Sequence, residues 1–269
     1  MDNDRAGKGG PGRPKTARAF RRLSAPVRRL PDFVVIGGIR CGTSSIFNYL
    51  AAHQEVAVST RKELHYFDRH YDRGSSWYRS WFPARWEGAR LTGEATPSYL
   101  MNLDAPERAY ETIPDAKFVV MLRDPVDRAI SHFNLRMQKG HEECATLAEA
   151  LEDESNRVGI VSNSHRLGHN LDCYFLQGEY VRGLEWWFRY FDPEQFCILT
   201  SEALFENPAT TYTKILDFLD IGKTQFPDFV VHNAAPEHES DNQTAELLRQ
   251  RYMPANQKLY DLIGTDLGW

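Results

Sequence analysis

The segment Phe33-Val34-Val35-Ile36-Gly37 carries no polar side chain and gives way at once to Gly38-Ile39-Arg40-Cys41-Gly42, after which Thr43 opens a helical pattern. An unbroken apolar run reads as a strand buried on both faces, as in parallel sheets covered by helices. Comparable runs bounded by Gly, Asp or Pro recur at Val56 to Ser59, Leu91 to Ala95, Lys117 to Leu122 and Gln195 to Thr200. Helical periodicity covers Thr43 to Ala52, Pro125 to Lys139, Leu147 to Glu154, Asn170 to Phe191 and Pro208 to Asp220, and two more helices are expected near Glu246 and Asn256. The expected class is α/β, with a central parallel sheet flanked by helices in three layers.

With 269 residues, 42% of them hydrophobic and 26% charged, the chain has the composition of a globular protein and excludes a collagen-like or wholly disordered one. No apolar run approaches the roughly 20 residues needed to cross a bilayer, so no membrane partner is expected. Cys41, Cys144, Cys173 and Cys197 form no C-x-x-C pair and no zinc-like spacing with His, so free thiols in a reducing cytoplasm and no metal are expected.

The net charge of −5 is unevenly spread. Residues 1–30 hold seven Arg and two Lys against Asp2 and Asp4, which leaves the other 239 residues at −12. Residues 1–30 read as a disordered basic tail and 31–269 as one domain. The tail lacks any aromatic or groove-reading pattern, so no nucleic-acid partner is expected. In the acidic body, any anion site must be built from a few placed cations.

The strand–loop–helix at Phe33 to Ser45 is such a place. Backbone N–H groups at a helix N-terminus converge there with a partial positive charge. Gly42 permits close approach, Thr43, Ser44 and Ser45 offer hydroxyls, Cys41 offers its backbone, and Arg40 offers a forked cation. The spacing Gly37-x4-Gly42 is P-loop-like, but Thr43 stands where a Walker lysine belongs, which weakens an ATP- or GTP-hydrolysing reading. A second basic site follows the run Lys117 to Leu122. Arg123 ends that strand, and Asp124 caps a helix with Pro125 at its first position, with Arg128 and Ser131 on the same face as Asp124. If the two strands are neighbours, Arg123 and Ser131 lie beside the first loop.

Together these segments resemble the sulfotransferases that use 3′-phosphoadenosine-5′-phosphosulfate (PAPS), most closely the heparan-sulfate branch and its bacterial relatives. Gly37-Gly38-Ile39-Arg40-Cys41-Gly42-Thr43 is similar to the family's 5′-phosphosulfate loop. Arg123-Asp124-Pro125 with Arg128 and Ser131 is similar to its 3′-phosphate motif. Lys62-Glu63-Leu64-His65-Tyr66-Phe67 resembles the catalytic segment, and Trp77-Tyr78 with Phe82-Pro83, Glu94 to Tyr99, and Tyr252-x-Pro254-x-Asn256 resemble three further segments. Arg40 replaces the usual lysine, Ala95 stands where glycosaminoglycan enzymes place a lysine, and the late Lys-Gly-Arg loop with its flanking cysteines is missing.

The resemblance implies PAPS as co-substrate without a metal, held by Arg40, the 41–45 loop, Arg123 and Ser131. It implies a catalytic group of Glu63, His65 and Arg40, with Glu63 the first choice of base and His65 the second; in a strand these two, two residues apart, would lie on the same side. The acceptor is expected to be a small-molecule or glycan-like hydroxyl, less so an amine, in natural-product modification. A P-loop kinase or NTPase using Mg-ATP is the alternative. Trp77, Tyr78, Trp81, Phe82 and Tyr99 suit either an acceptor pocket or the core, and Gly140 to Gly168, with His141, His165 and His169, reads as a candidate lid. The cluster Trp186 to Phe191 reads as one helix's buried stripe, because Leu184, Trp187, Phe188 and Phe191 recur at helical spacing.

Overall fold

The computed structural model describes residues 21–161, 173–223, 226–230 and 242–269. Five parallel strands form one sheet in the order β2-β3-β1-β4-β5: β1 Phe33–Gly37, β2 Val56–Val58, β3 Leu91–Ala95, β4 Lys117–Leu122 and β5 Phe196–Thr200. All five side-chain positions of β1 are buried, as an unalternating run at the sheet centre requires. The helices are α1 Thr43–Ala51, α2 Tyr66–Arg69, α3 Gly74–Arg79, α4 Ala105–Thr112, α5 Pro125–Gln138, α6 Leu147–Val161, α7 Tyr180–Trp187, α8 Ser201–Glu206, α9 Pro208–Leu219 and α10 Asn242–Ile263.

After β1 the chain crosses to the β2 side of the sheet, and after β4 it crosses to the β5 side. The loops leaving β1 and β4 therefore part at their carboxyl ends, the crevice where open α/β sheets bind ligands. Register keeps the two ends level, with Gly37 opposite Met121. Gly37 has φ 145, and a Cβ there would lie 2.1 Å from the Met121 carbonyl oxygen. Gly37→Ala is expected to destabilise the fold by about 3 kcal/mol or more, because the obstacle is backbone and cannot swing aside. Chemical denaturation reads this, and a cost near zero would mean that β1 and β4 can separate locally.

The main core gathers the sheet, α1, α7 and α9, with Phe118, Trp187, Phe191 and Phe196 in mutual ring contact. The burial of Leu184, Trp187 and Phe191 bears out a buried stripe, but not one carried by a single helix: α7 ends at Trp187, and Phe188 and Phe191 pack on the core from the turn that follows. A second cluster joins α5, α6 and α10 through Val126, Phe133, Leu151, Leu248 and Tyr252.

Several expectations are corrected. Of the Asn170 to Phe191 helix, Asn170 lies outside the described residues, Leu176–Gly178 is a 3-10 turn, and the α-helix begins only at Tyr180. The two expected C-terminal helices are one, α10, which carries Pro254 within it. The expected tail to residue 30 is folded onto the body over its last ten residues: Ala25 is fully buried, and Arg28 is 5% exposed. Arginine side chains make this seam by donating to carbonyls, Arg21 to Ser80 (2.6 Å) and Phe82 (2.7 Å), and Arg28 to Phe82 (2.8 Å). Residues 1–20, and His165 and His169 of the candidate lid and its flank, lie outside the described residues.

Candidate active site

The loop after β1 takes a strained shape suited to an anion. Arg40 has φ 76 and Gly42 φ 80, with Cys41 between them at negative φ. Alternating handedness of this kind turns successive N–H groups inward as an anion-binding nest. The Gly42 carbonyl accepts from Ser45 N and Ile46 N, so α1 starts within the loop and aims its N-terminus at the same point. Cys41 is fully buried with its sulfur 3.6 Å from the Tyr180 hydroxyl, and burial pushes its thiol up to about 11, so the backbone of Cys41 and not a thiolate faces the loop.

The two basic segments meet as the neighbouring strands require. Arg40 Nε donates to Ser131 Oγ at 3.1 Å, joining the β1 loop to α5. Burial and then the adjacent Arg123 charge lower the pKa of Arg40, which means that two guanidinium groups converge in a partly dry site. A ligand with several anionic oxygens fits that arrangement, because it relieves the repulsion the site has built in. Tyr180 ties the loops together, since its hydroxyl donates to the Arg123 carbonyl at 3.0 Å while facing Cys41. Arg123 lies 3.8 Å from Asp127, a loose pair.

Asp124 accepts from Val126 N at 2.7 Å and Asp127 N at 3.3 Å, so it caps α5 as the Asp-Pro junction implies. Arg128, grouped in sequence with the cations at this edge, turns inward: it is fully buried and donates to the Tyr174 carbonyl. Its place in the second cluster leaves Arg123 as the cation of that motif at the sheet edge.

Glu63 and His65 do not lie in a strand. Both follow β2 in irregular backbone with left-handed φ of 59 and 52, and His65 is the N-cap of α2. Their side chains nevertheless meet, with Glu63 Oε2 3.9 Å from His65 Nε2. Glu63 N donates to the Ala95 carbonyl at 2.9 Å, and Thr96 N donates to Val35 at 3.0 Å, which hangs the segment on the carboxyl end of β3 beside β1. Among the described residues four non-glycines have positive φ, namely Arg40, Glu63, His65 and Asp220, and only Asp220 is an ordinary helix end. Each such residue stores roughly 1 to 3 kcal/mol of strain, which persists where the surroundings over-determine a functional shape.

Sequence reasoning missed the support beneath this pair. Asp68 Oδ2 is 2.9 Å from His65 Nδ1, and Ser98 Oγ donates to the same oxygen at 2.7 Å. Burial opposes the Asp68 charge, but His65 and Ser98 outweigh it and hold the carboxyl below its ordinary range. An ionised Asp68 accepts a hydrogen bond from His65 Nδ1–H, which leaves Nε2 toward Glu63. The spacing of three residues across a helical turn was the available signal. Glu94 was also missed as a support. It is fully buried and accepts from Tyr78 (2.7 Å), Tyr99 (3.2 Å) and Thr96 (2.6 Å), while Tyr99 Oη accepts from Tyr66 N at 2.7 Å and so fixes the start of α2.

The aromatic group is core, with Tyr78, Phe82 and Tyr99 fully buried and Tyr78 stacked on Tyr66 at 4.3 Å between ring centroids. Trp81 is half-buried, packed against that core.

Three loops, after β1, β2 and β4, together with α5, thus bring Arg40, Glu63, His65, Arg123 and Ser131 to one edge of the sheet. A family model for the sulfotransferase domain matches residues 30–258. The chain belongs to that family. The sulfotransferase domain is 30% identical over 266 residues to human heparan sulfate glucosamine 3-O-sulfotransferase 3B1, covering 90% of this chain and 65% of that protein. It is 26% identical to the membrane-associated sulfotransferase kil1 of Dictyostelium discoideum, over 89% of the chain. A sulfotransferase crystal structure from Alicyclobacillus acidocaldarius superposes with a TM-score of 0.76 at 26% identity, covering 89% of this chain and 98% of that one. The chain spans less than two thirds of the length of the human relatives 3B1 and 3A1, 65% and 63%. Among the described residues, no helix is long and apolar enough to cross a membrane.

Proposed function

We propose that this protein transfers a sulfuryl group from PAPS to a hydroxyl of a small-molecule or glycan-like acceptor. The observation that carries the reading is the convergence of Arg40, Ser131 and Arg123 where β1 and β4 end side by side, within a sulfotransferase domain. The co-substrate supplies the sulfuryl group and an anionic leaving group, which asks the protein for fixed positive charge and for a base.

Arg40 and the N–H groups of residues 41–45 hold the phosphosulfate end. Arg123 and Ser131 hold the 3′-phosphate, and the hydrogen bond from Arg40 to Ser131 sets the spacing between the two groups. Glu63 takes the acceptor proton, and His65, oriented by Asp68, stabilises the charge that develops beside it. With Thr43 in place of a Walker lysine and Asp124 engaged as a cap, the parts of a Mg-ATP kinase are poorly matched. A chain with heparan-sulfate relatives but Ala95 in place of the acceptor-side lysine suits a smaller or less anionic acceptor.

Incubation with PAPS and a panel of phenols, alkyl alcohols, amines and desulfated oligosaccharides, followed by mass spectrometry, tests the reading. A hydroxyl acceptor that gains a sulfuryl group with PAPS as the sole donor supports it, and transfer in a parallel incubation with Mg-ATP but none with PAPS would overturn it.

The pH dependence follows from the neighbours of Glu63. Burial raises its pKa, but Lys62 at 2.8 Å, then His65 and Arg69, outweigh burial and leave it below the ordinary value. Its basic form therefore persists throughout the neutral range and is lost only as pH falls through that lowered value. Lys62→Met removes the strongest opposing charge, so the acid limb of kcat/KM is expected to move to higher pH. A limb that stays in place would assign it to another group.

A further inference from the structure

The positive charge of residues 21–30 is gathered on a face that the site above does not use. Arg28 pairs with Ala84 in an isolated antiparallel bridge, Arg85 N donates to the Val27 carbonyl at 3.0 Å, and the Arg29 guanidinium donates to the Ala89 and Arg90 carbonyls. The Arg85 N to Val27 bond brings the residues before Trp86 against the 21–30 segment, and three apolar side chains of these two segments stand in solvent: Leu23 is 83% exposed, Trp86 72% and Val27 40%. Beside them Arg29, Arg79 and Arg85, with Leu30 and Asp32, line an open cleft of ≈ 460 Å³. Asp32 immediately precedes β1, so the cleft sits at the sheet edge opposite the Gly38–Gly42 loop.

The face is cationic as well as apolar. Burial and then the Arg85 charge lower the pKa of Arg79, so these two guanidinium groups approach one another. The acids nearby are already engaged: Asp32 accepts from Arg29 (2.7 Å) and from Thr92 N (2.7 Å), and Glu87 accepts from Ala84 N (2.8 Å) and lies 3.9 Å from Arg28. Arg22 is also exposed on this segment. Residues 31–269 carry a net charge of −12, so this basic face stands out from its surroundings, on the side of the sheet away from Arg40 and Arg123.

Single exposed apolar residues need no explanation, but a tryptophan and two aliphatic side chains standing among arginines fit an interface with lipid. Tryptophan suits the headgroup level, aliphatic groups suit the acyl boundary, and arginines meet headgroup phosphates. A nucleic acid would use the charge and could stack on Trp86, but it gives Leu23 and Val27 nothing to bury against. We propose that the face formed by Leu23, Val27, Trp86, Arg79 and Arg85 docks this protein on the surface of an anionic lipid bilayer. The opposite sheet edge, with Arg40 and Glu63, then points away from the membrane. Reading the sequence for spanning segments alone could not reveal such a surface, and docking does not depend on the reaction proposed above.

Cosedimentation of the full chain with vesicles tests this. Binding is expected to vesicles of phosphatidylcholine mixed with phosphatidylglycerol, to weaken with added salt, and to be absent on phosphatidylcholine alone. Leu23→Ser with Trp86→Ser, which keeps every basic residue, is expected to lose most of the binding with an unchanged melting temperature. Arg79→Ala with Arg85→Ala is expected to weaken it about 25-fold, at roughly fivefold per arginine. No binding to either vesicle, equal binding to both, undiminished binding by the Leu23/Trp86 variant, or tighter binding to a short DNA duplex than to the anionic vesicles would overturn the proposal.

Discussion

Glu63→Gln is expected to abolish sulfuryl transfer, by roughly 10² to 10⁴-fold in kcat, while leaving the affinity for adenosine 3′,5′-bisphosphate nearly unchanged. The amide keeps the size of the side chain and loses the basic lone pair. The position is 49% exposed and its charged contacts are with surface neighbours, so removing the charge costs little fold stability. The left-handed backbone at Glu63 and His65 is set by the Glu63 N to Ala95 bond and by α2 rather than by the carboxylate, and so survives the change. Single-turnover rates with the best acceptor, beside calorimetric binding of the bisphosphate, separate the two effects. Turnover at the native rate would remove Glu63 from the reaction and leave His65, backed by Asp68, as the base.

The second large effect belongs to Arg123. Arg123→Ala is expected to weaken binding of the bisphosphate by about 1.5 to 3 kcal/mol, the range for a charged hydrogen bond, which is roughly 10- to 150-fold in Kd. Among the described residues the side chain pairs with Asp127 alone, at 3.8 Å, so little structure is lost with it. The loss should be much smaller for adenosine 5′-phosphate, which lacks the 3′-phosphate. Equal losses for both nucleotides would mean that Arg123 reads the 5′ end, and the assignment of the two phosphates would have to be exchanged or abandoned.

The parts of this protein legible in the sequence are those where one physical signal dominates. β1, and β4 from Phe118 to Leu122, coincide with unbroken apolar runs, because a strand buried between helix layers favours apolar side chains, whereas β3 holds Thr92 and Glu94 buried by hydrogen-bonding both. The Asp124 cap was legible because Asp followed by Pro has one favoured use. The meeting of Arg40 with Ser131 could be anticipated only on the condition that β1 and β4 are neighbours, a condition that the strand order meets.

What was not legible depends on contacts distant in sequence or on unusual backbone. Glu63 and His65 were expected on one face of a strand, and no glycine or proline marks the left-handed turns that bring them together instead. Asp68 and Ser98, which orient His65, come from α2 and from the segment after β3. Glu94 supports the site through Tyr99 and the Tyr66 backbone, a route that no spacing rule contains. Residues 21–30 have the composition of a solvated tail, yet their arginines bond to carbonyls of the 80–90 segment, and carbonyl positions are invisible in a sequence.

Titration calorimetry with adenosine 3′,5′-bisphosphate and with ATP, each with and without magnesium, decides whether this is a PAPS site. Tight binding of the bisphosphate that magnesium does not alter is expected, with weak binding of ATP in either condition. Binding of Mg-ATP in preference to the bisphosphate would contradict it.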